Sequence, residues 1–273
     1  MQPILTASLF PVIESHLIEV LRSLRPDEWN LPTVAGAWTV KDVAAHLLDT
    51  ETRRVSMGRT KEASAAPVIP PGDLIAFVNR MNRIGVETYE GLPPDDLVAR
   101  IEAASAELAR YMASLDPMGR APIGVSWAGE DTSLNWFDIA REYTERWHHQ
   151  QQIRLATNRP GIMTRELYYP VLDCFMRALP STYCDRSGDA GTHLRFNVSG
   201  DCGGSWYLYR DGDRWVQVEV PEGRQVSETT IPQEIAWRIF TKGIDRETAT
   251  SQVTVTGDRD LGSHVMSMIA IVG

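Results

Sequence analysis

Cysteine is scarce in this chain: Cys174, Cys184 and Cys202 are an odd set with neither Cys-x-x-Cys spacing nor a histidine nearby in sequence. They read as ordinary reduced thiols, and a sulfur nucleophile is expected to arrive with a cofactor rather than from the chain. Clusters of basic residues are absent and the formal net charge is −9. Phosphate backbones bind to concentrated basic surface, so nucleic acid is excluded as an expected partner. No apolar run reaches the roughly 18 to 20 residues that span a bilayer, and the N-terminus has no signal-peptide pattern. A cytoplasmic protein without a membrane partner is the expectation. Low-complexity tracts and internal repeats are missing too. With 43% hydrophobic and 23% charged residues, the 273-residue chain can bury one large core or two ordinary ones.

What is present divides near residue 160. Up to about residue 157, apolar residues recur at steps of three and four, and Pro and Gly clusters interrupt them. The first helix is expected near Ala7 to Leu24, with a stripe of Leu9, Val12, Ile13, His16, Leu17, Val20 and Leu21. A second starts after Trp38, where Thr39 caps and Asp42 completes a capping box, which places His46 in mid-helix and inward. A loop rich in Ala, Pro and Gly at Thr60 to Asp73 is followed by helices at Leu74 to Tyr89 and Pro94 to Leu115. Asp116 to Thr132 reads as loop, and a further helix opens at Ser133 or Asn135 and runs to about Ala156.

Beyond Asn158-Arg-Pro-Gly161 the texture becomes mixed. A helix from Arg165 to Leu179 precedes strands at His193 to Ser199, Ser205 to Arg210 and Arg214 to Val220, joined as an antiparallel meander by turns such as Asp211-Gly-Asp213. Ile235 to Thr241 and Leu261 to Ile271 read as helices, with a strand at Gln252 to Thr256 between them. The expected architecture is α+β multidomain: a helical bundle over residues 1–160 and a smaller α/β domain with a mainly antiparallel sheet over 161–273.

Two segments carry chemistry. Glu145 and His149 lie one helical turn apart on one face, so a carboxylate and an imidazole can meet one ion, and His46 could complete three ligands. Such a set suits zinc or another divalent first-row metal and leaves a coordination position open. Taken alone, Glu-x-x-x-His arises often by chance as a solvated pair, and a lone His46 is as readily a hydrogen-bonded core histidine. Asp138 and Glu142 extend the Glu145/His149 face into an acidic stripe where a core helix should be apolar. Buried carboxylates need a cation, and Arg141 and Arg146 are alternative sources of it. His148 points about 100 degrees from His149 on an ideal helix, so register selects His149. His16, His193 and His264 are isolated, and Gly200-Asp-Cys-Gly-Gly204 reads as a turn rather than a phosphate cradle.

The stretch Trp38-Thr-Val-Lys-Asp-Val-Ala-Ala-His46, continued by Leu47-Leu-Asp49, and the stretch Arg141-Glu-Tyr-Thr-Glu-Arg-Trp-His-His149 through Arg154 resemble the mycothiol-dependent maleylpyruvate isomerase family of the DinB-like superfamily. The resemblance implies an N-terminal four-helix bundle whose zinc ligands carry over to His46, Glu145 and His149. It also implies a C-terminal α/β domain similar to sterol-carrier domains, and Pro232 to Arg238 and Val255 to Leu261 look like parts of it. A substrate-facing arginine in that domain is implied as well, with Arg238 and Arg259 both open.

Function follows as an expectation: a zinc-dependent enzyme that activates a low-molecular-weight thiol, mycothiol or another, for S-transfer or cis-trans isomerisation of a small-molecule substrate. A thiol adding to an electron-poor double bond makes it a rotatable single bond before elimination restores it. Two alternatives stand beside it: a hydrolase using metal-activated water, and a non-catalytic protein that buries a small apolar ligand. Arg53 and Arg54, about two turns beyond His46, are candidates for acidic substrate groups, with Arg238 from the second domain. The chain is expected as a monomer or homodimer.

Overall fold

A computed structural model of the chain describes residues 2–59 and 74–271, so the loop expected at Thr60 to Asp73 lies outside the described residues. Two compact units emerge. One is formed by Leu5–Pro122 and Leu134–Ile162; the other combines the N-terminal residues up to Ile4, Ile123–Ser133 and Met163–Ile271.

The first unit is helical: α1 (Phe10–Arg22), α2 (Val40–Arg59), α3 (Leu74–Tyr89), α4 (Pro94–Ser114) and α5 (Asn135–Ala156). α1 packs on α4 and α5, and α2 packs on the same two helices, which closes a four-helix ring with α3 lying outside against α2. Leu17, Leu21, Val40, Val43, Leu47, Leu97, Ile101 and Ile153 fill one part of its interior. At roughly 25 cal/mol per Å² of apolar surface, burial of this kind is the main force holding the ring together.

The buried face of α1 is rotated from the expected stripe. Phe10, Glu14 and Ile18 are buried, whereas Val12 is exposed and His16 half-buried, 3.6 Å from Glu19. The shift has a polar cause. Glu14 is drawn inward by the Ser105 hydroxyl at 3.1 Å, and hydropathy spacing does not register a buried carboxyl.

The second unit holds α6 (Arg165–Met176), the one-turn α7 (Leu179–Thr182), β1 (Thr192–Ser199), β2 (Gly204–Asp211), β3 (Arg214–Val218), β4 (Arg224–Pro232), α8 (Gln233–Phe240), α9 (Arg246–Gln252), β5 (Thr254–Gly257) and α10 (Arg259–Ser263). The sheet order is β3-β2-β1-β4-β5. All neighbours are antiparallel except β1 and β4, which run parallel. The expected meander is therefore β1 to β3, and the sheet is mainly antiparallel as anticipated. The glycine-rich segment is a turn, as read: at Gly203 a Cβ would come within 1.8 Å of the Val198 carbonyl oxygen, so only glycine fits.

Three features differ from the sequence reading. β4 has no counterpart in it because two of its deeply buried residues are polar: Thr229 donates to the Gly262 carbonyl oxygen at 2.8 Å and Ser227 to that of Thr256 at 3.1 Å. α9, capped by Asp245 accepting from the Thr248 N–H at 2.8 Å, was likewise hidden in a polar segment. The helix expected over Leu261 to Ile271 is only α10 and a 3-10 turn at His264–Ser267. Asp258 caps its start, Gly262-Ser263 weakens its continuation, and the Ala270 N–H leaves to bond the Phe240 carbonyl at 2.9 Å.

Candidate metal centre

α2 supplies His46 through the predicted cap. The Thr39 N–H donates to Oδ2 of Asp42 at 2.9 Å and the Asp42 N–H to Oγ1 of Thr39 at 3.3 Å. Starting there, the helix turns Val43, Leu47 and His46 inward, and His46 is 3% exposed. α5 supplies Glu145 and His149 one turn apart, with His149 7% exposed and Glu145 half-buried.

Three donor atoms, one from each of His46, Glu145 and His149, lie within 4.8 Å of one another. The His46 and His149 ring centres are 4.6 Å apart, and the Trp38 indole covers both, 4.8 Å from His46 and 6.2 Å from His149. Nε2 of His149 is 3.3 Å from Oε2 of Glu145. On the far side of the ring, Nδ1 is 2.8 Å from Oε1 of Gln152. An amide oxygen only accepts, so Nδ1 carries the proton and Nε2 turns its lone pair toward a carboxylate. With the ring neutral, two acceptors at that distance face each other, an arrangement that a metal ion or an added proton relieves. Metal–ligand bonds of about 2.0 to 2.1 Å in a tetrahedron put neighbouring donors roughly 3.3 to 3.4 Å apart, which the Glu145–His149 separation matches. Nδ1 of His46 is buried and has no hydrogen-bond partner among the described residues, a costly state for a ring nitrogen unless something else uses the ring.

The electrostatics agree with a ligand set. Burial, then the neighbouring His149, pushes His46 well below the usual histidine range, so its ring is neutral. Burial alone would raise Glu145, but the close contact with His149 and the surrounding imidazoles outweigh it and hold the carboxyl well below the usual range. Neutral imidazole and ionised carboxylate are the forms that bind a metal.

The rest of the acidic stripe is neutralised by arginine. Asp138 pairs with Arg54 of α2 and with Arg141 at 2.8 Å; Glu142 pairs with Arg141 and Arg146, each at 3.0 Å. The ordinary ion-pair alternative thus holds for Asp138 and Glu142, while Glu145 pairs with His149. His148 stays out of the group: its Nδ1 donates to the Thr144 carbonyl at 2.8 Å, and burial pushes it down to about 3. Arg53 lies at the edge, donating to Asp49 at 2.7 Å. Arg238 of the second unit donates to the Gly243 carbonyl at 2.9 Å and closes the end of α8. His193 and His264 meet the backbone carbonyls of Glu222 and Thr182, as expected of isolated histidines. Sequence reasoning missed Gln152 as a support of the site; its spacing of three from His149 was the available signal. Trp38 stood in the motif without a role.

Residues 12–154, which include all three donors and cover just over half the chain, match the mycothiol maleylpyruvate isomerase N-terminal domain. The chain belongs to this family. Its fold is that of the mycothiol-dependent maleylpyruvate isomerase: a crystal structure of a histidine-to-alanine mutant of that enzyme aligns over 92% of both chains at 13% identity, with a TM-score of 0.56. A second crystal structure of the enzyme aligns over 92% of both chains at 14% identity, with a TM-score of 0.50. The four-helix ring is accordingly a DinB-like bundle. No curated protein matches the chain. Among the described residues no helix is long and apolar enough to cross a membrane.

Proposed function

We propose that the chain is a thiol-dependent enzyme of the maleylpyruvate isomerase kind, with His46, Glu145 and His149 holding one divalent ion, zinc by choice of donors. The observation that carries this reading is the Nε2 of His149 turned toward the Glu145 carboxylate at 3.3 Å beside the buried His46. Family membership supports the activity class, and the acting thiol is mycothiol by the same resemblance. An ion held by these residues would supply a thiolate near neutral pH by lowering the pKa of a bound thiol.

The chain's own residues prepare and shield that position. Gln152 fixes the tautomer of His149, Trp38 lies over both imidazoles, and Asp138 and Glu142 are neutralised away from the site by Arg54, Arg141 and Arg146. The expected substrate is a small acid with an electron-poor cis double bond, and Arg53, next along α2 from the His46 turn, is the candidate partner for its carboxylates. A thiol bound beside His46, Glu145 and His149 would supply the sulfur for reversible addition to that bond, the chemistry that would let it rotate. The metal-binding domain is the helical unit within residues 1–160.

Elemental analysis of untagged protein purified without added metal tests the site. About one zinc per chain, lost in Glu145→Ala, is expected; no metal in either protein after dialysis against zinc would overturn it. Mixing the zinc-loaded enzyme with mycothiol and maleylpyruvate, followed by ultraviolet absorbance, then tests the reaction.

A further inference from the structure

Arg146 is 1% exposed and follows Glu145 directly, yet its guanidinium is spent largely on α2. Nη1 donates to the Leu47 carbonyl oxygen at 3.0 Å and to Oε1 of Glu51 at 3.1 Å. Nη2 donates to Oγ1 of Thr50 at 2.5 Å and to Oε1 of Glu142 at 3.0 Å. Leu47 is the residue after His46. The fork thus ties the α5 backbone beside Glu145 to the α2 backbone beside His46, across the one helix pair that must keep its register for three donors to converge.

We propose that Arg146 is a positioning residue that sets the spacing between His46 and the Glu145/His149 pair. The inference rests on the metal reading above. Four hydrogen bonds from one planar group fix both the separation of the two helices and their sliding, which apolar packing alone constrains weakly. Thr50 and Glu51 lie one turn beyond His46, and Glu142 one turn before Arg146, so the clamp spans about a turn of each helix. A second link, Arg54 to Asp138, holds the same two helices further along in antiparallel register.

Charge and geometry predict opposite results, which makes the role separable. A cation this close to the ligands repels a bound metal: its field already helps to lower His46. If Arg146 acted by charge alone, Arg146→Lys would bind metal as the wild type does and Arg146→Met would bind it more tightly. As a clamp, its loss should weaken binding in both variants, because an ammonium cannot reproduce the fork.

The experiment is titration of metal-free full-length protein with Co²⁺, followed by the visible absorption of the bound ion, whose intensity reports coordination geometry. Arg146→Lys is expected to lose about 10- to 100-fold in affinity, the range for removing supports of metal ligands, with a weakened absorption band. Should Arg146→Met alone fail to fold, Glu51→Gln/Arg146→Met removes the guanidinium together with its buried Glu51 partner and leaves Glu142 its partner Arg141. Leu97→Ala, a cavity variant in the α4 core, serves as the control for lost stability and should keep wild-type affinity and spectrum. Wild-type affinity and spectrum in folded Arg146 variants would overturn the clamp and leave the metal site standing. A wild-type protein that binds no Co²⁺ would overturn the site, and the clamp with it.

Discussion

The amide oxygen of Gln152 stands 2.8 Å from Nδ1 of His149, and it decides which nitrogen of that ring is free. With the proton held at Nδ1, the lone pair belongs to Nε2, the atom that faces Glu145. Gln152→Leu removes this acceptor while keeping the helix. Metal affinity is expected to fall about 10- to 100-fold with little change in helical circular dichroism, measured by competition with a chelating dye. Unchanged affinity would show that the tautomer is set elsewhere.

The proposed ligands should behave differently from their support. His46→Ala and His149→Ala are each expected to abolish tight zinc binding, since two donors seldom hold the ion against water. Far-ultraviolet circular dichroism should keep most of its helical signal, because the apolar cluster of Leu17, Leu47, Leu97 and Ile101 is untouched. Stoichiometric zinc in both variants after dialysis would refute the assignment.

Arg54 and Asp138 form a buried pair between α2 and α5, 4% and 0% exposed at their side chains. Asp138→Ala leaves Arg54 buried without its carboxylate, and Arg141 loses a partner as well. Breaking such a pair from one side costs on the order of 3 to 5 kcal/mol. Urea unfolding should show that loss, and Arg54→Met/Asp138→Leu should recover most of it. A single variant as stable as the wild type would show that water reaches the pair.

Glu14 lies under a groove of about 1040 Å³ along α1 and α4, and it shares the Ser105 hydroxyl with Glu51. Burial raises its pKa from 4.5 to about 7 against the pull of Arg146. Below about pH 4.5 the folded and unfolded chains both hold this proton. Between 4.5 and about 7 the unfolded chain releases it and the native chain keeps it, so rising pH favours unfolding; above 7 the loss is complete. The effect should reach on the order of 3 kcal/mol across that window. Glu14→Gln removes the titration, so the stability difference between wild type and variant should drift in the variant's favour from pH 4.5 to 7. Urea midpoints at half-unit pH steps measure it, and a flat difference would disprove the buried neutral acid.

Helix positions in the first unit were legible in the sequence because their causes are local. The cap of Thr39 and Asp42, the Pro and Gly stops and the spacing of four between Glu145 and His149 all act within a turn or two of chain. The α1 stripe slipped where a buried carboxyl replaced an apolar residue, and β4 escaped because Ser227 and Thr229 bury polar groups satisfied by distant carbonyls. Pattern reading assumes that buried means apolar, and these segments bury hydrogen bonds.

By itself, then, the sequence determined the helical first half, the inward face of α2 at His46 and the shared face of Glu145 and His149, since a period of 3.6 residues needs no partner to be read. Only the tertiary structure decided that His46 meets that pair, that Asp138 and Glu142 belong to Arg54, Arg141 and Arg146, and that β4 lies parallel to β1. Those are relations between segments far apart along the chain. Their register is set by packing and buried charge across helices and strands, and no local periodicity encodes it.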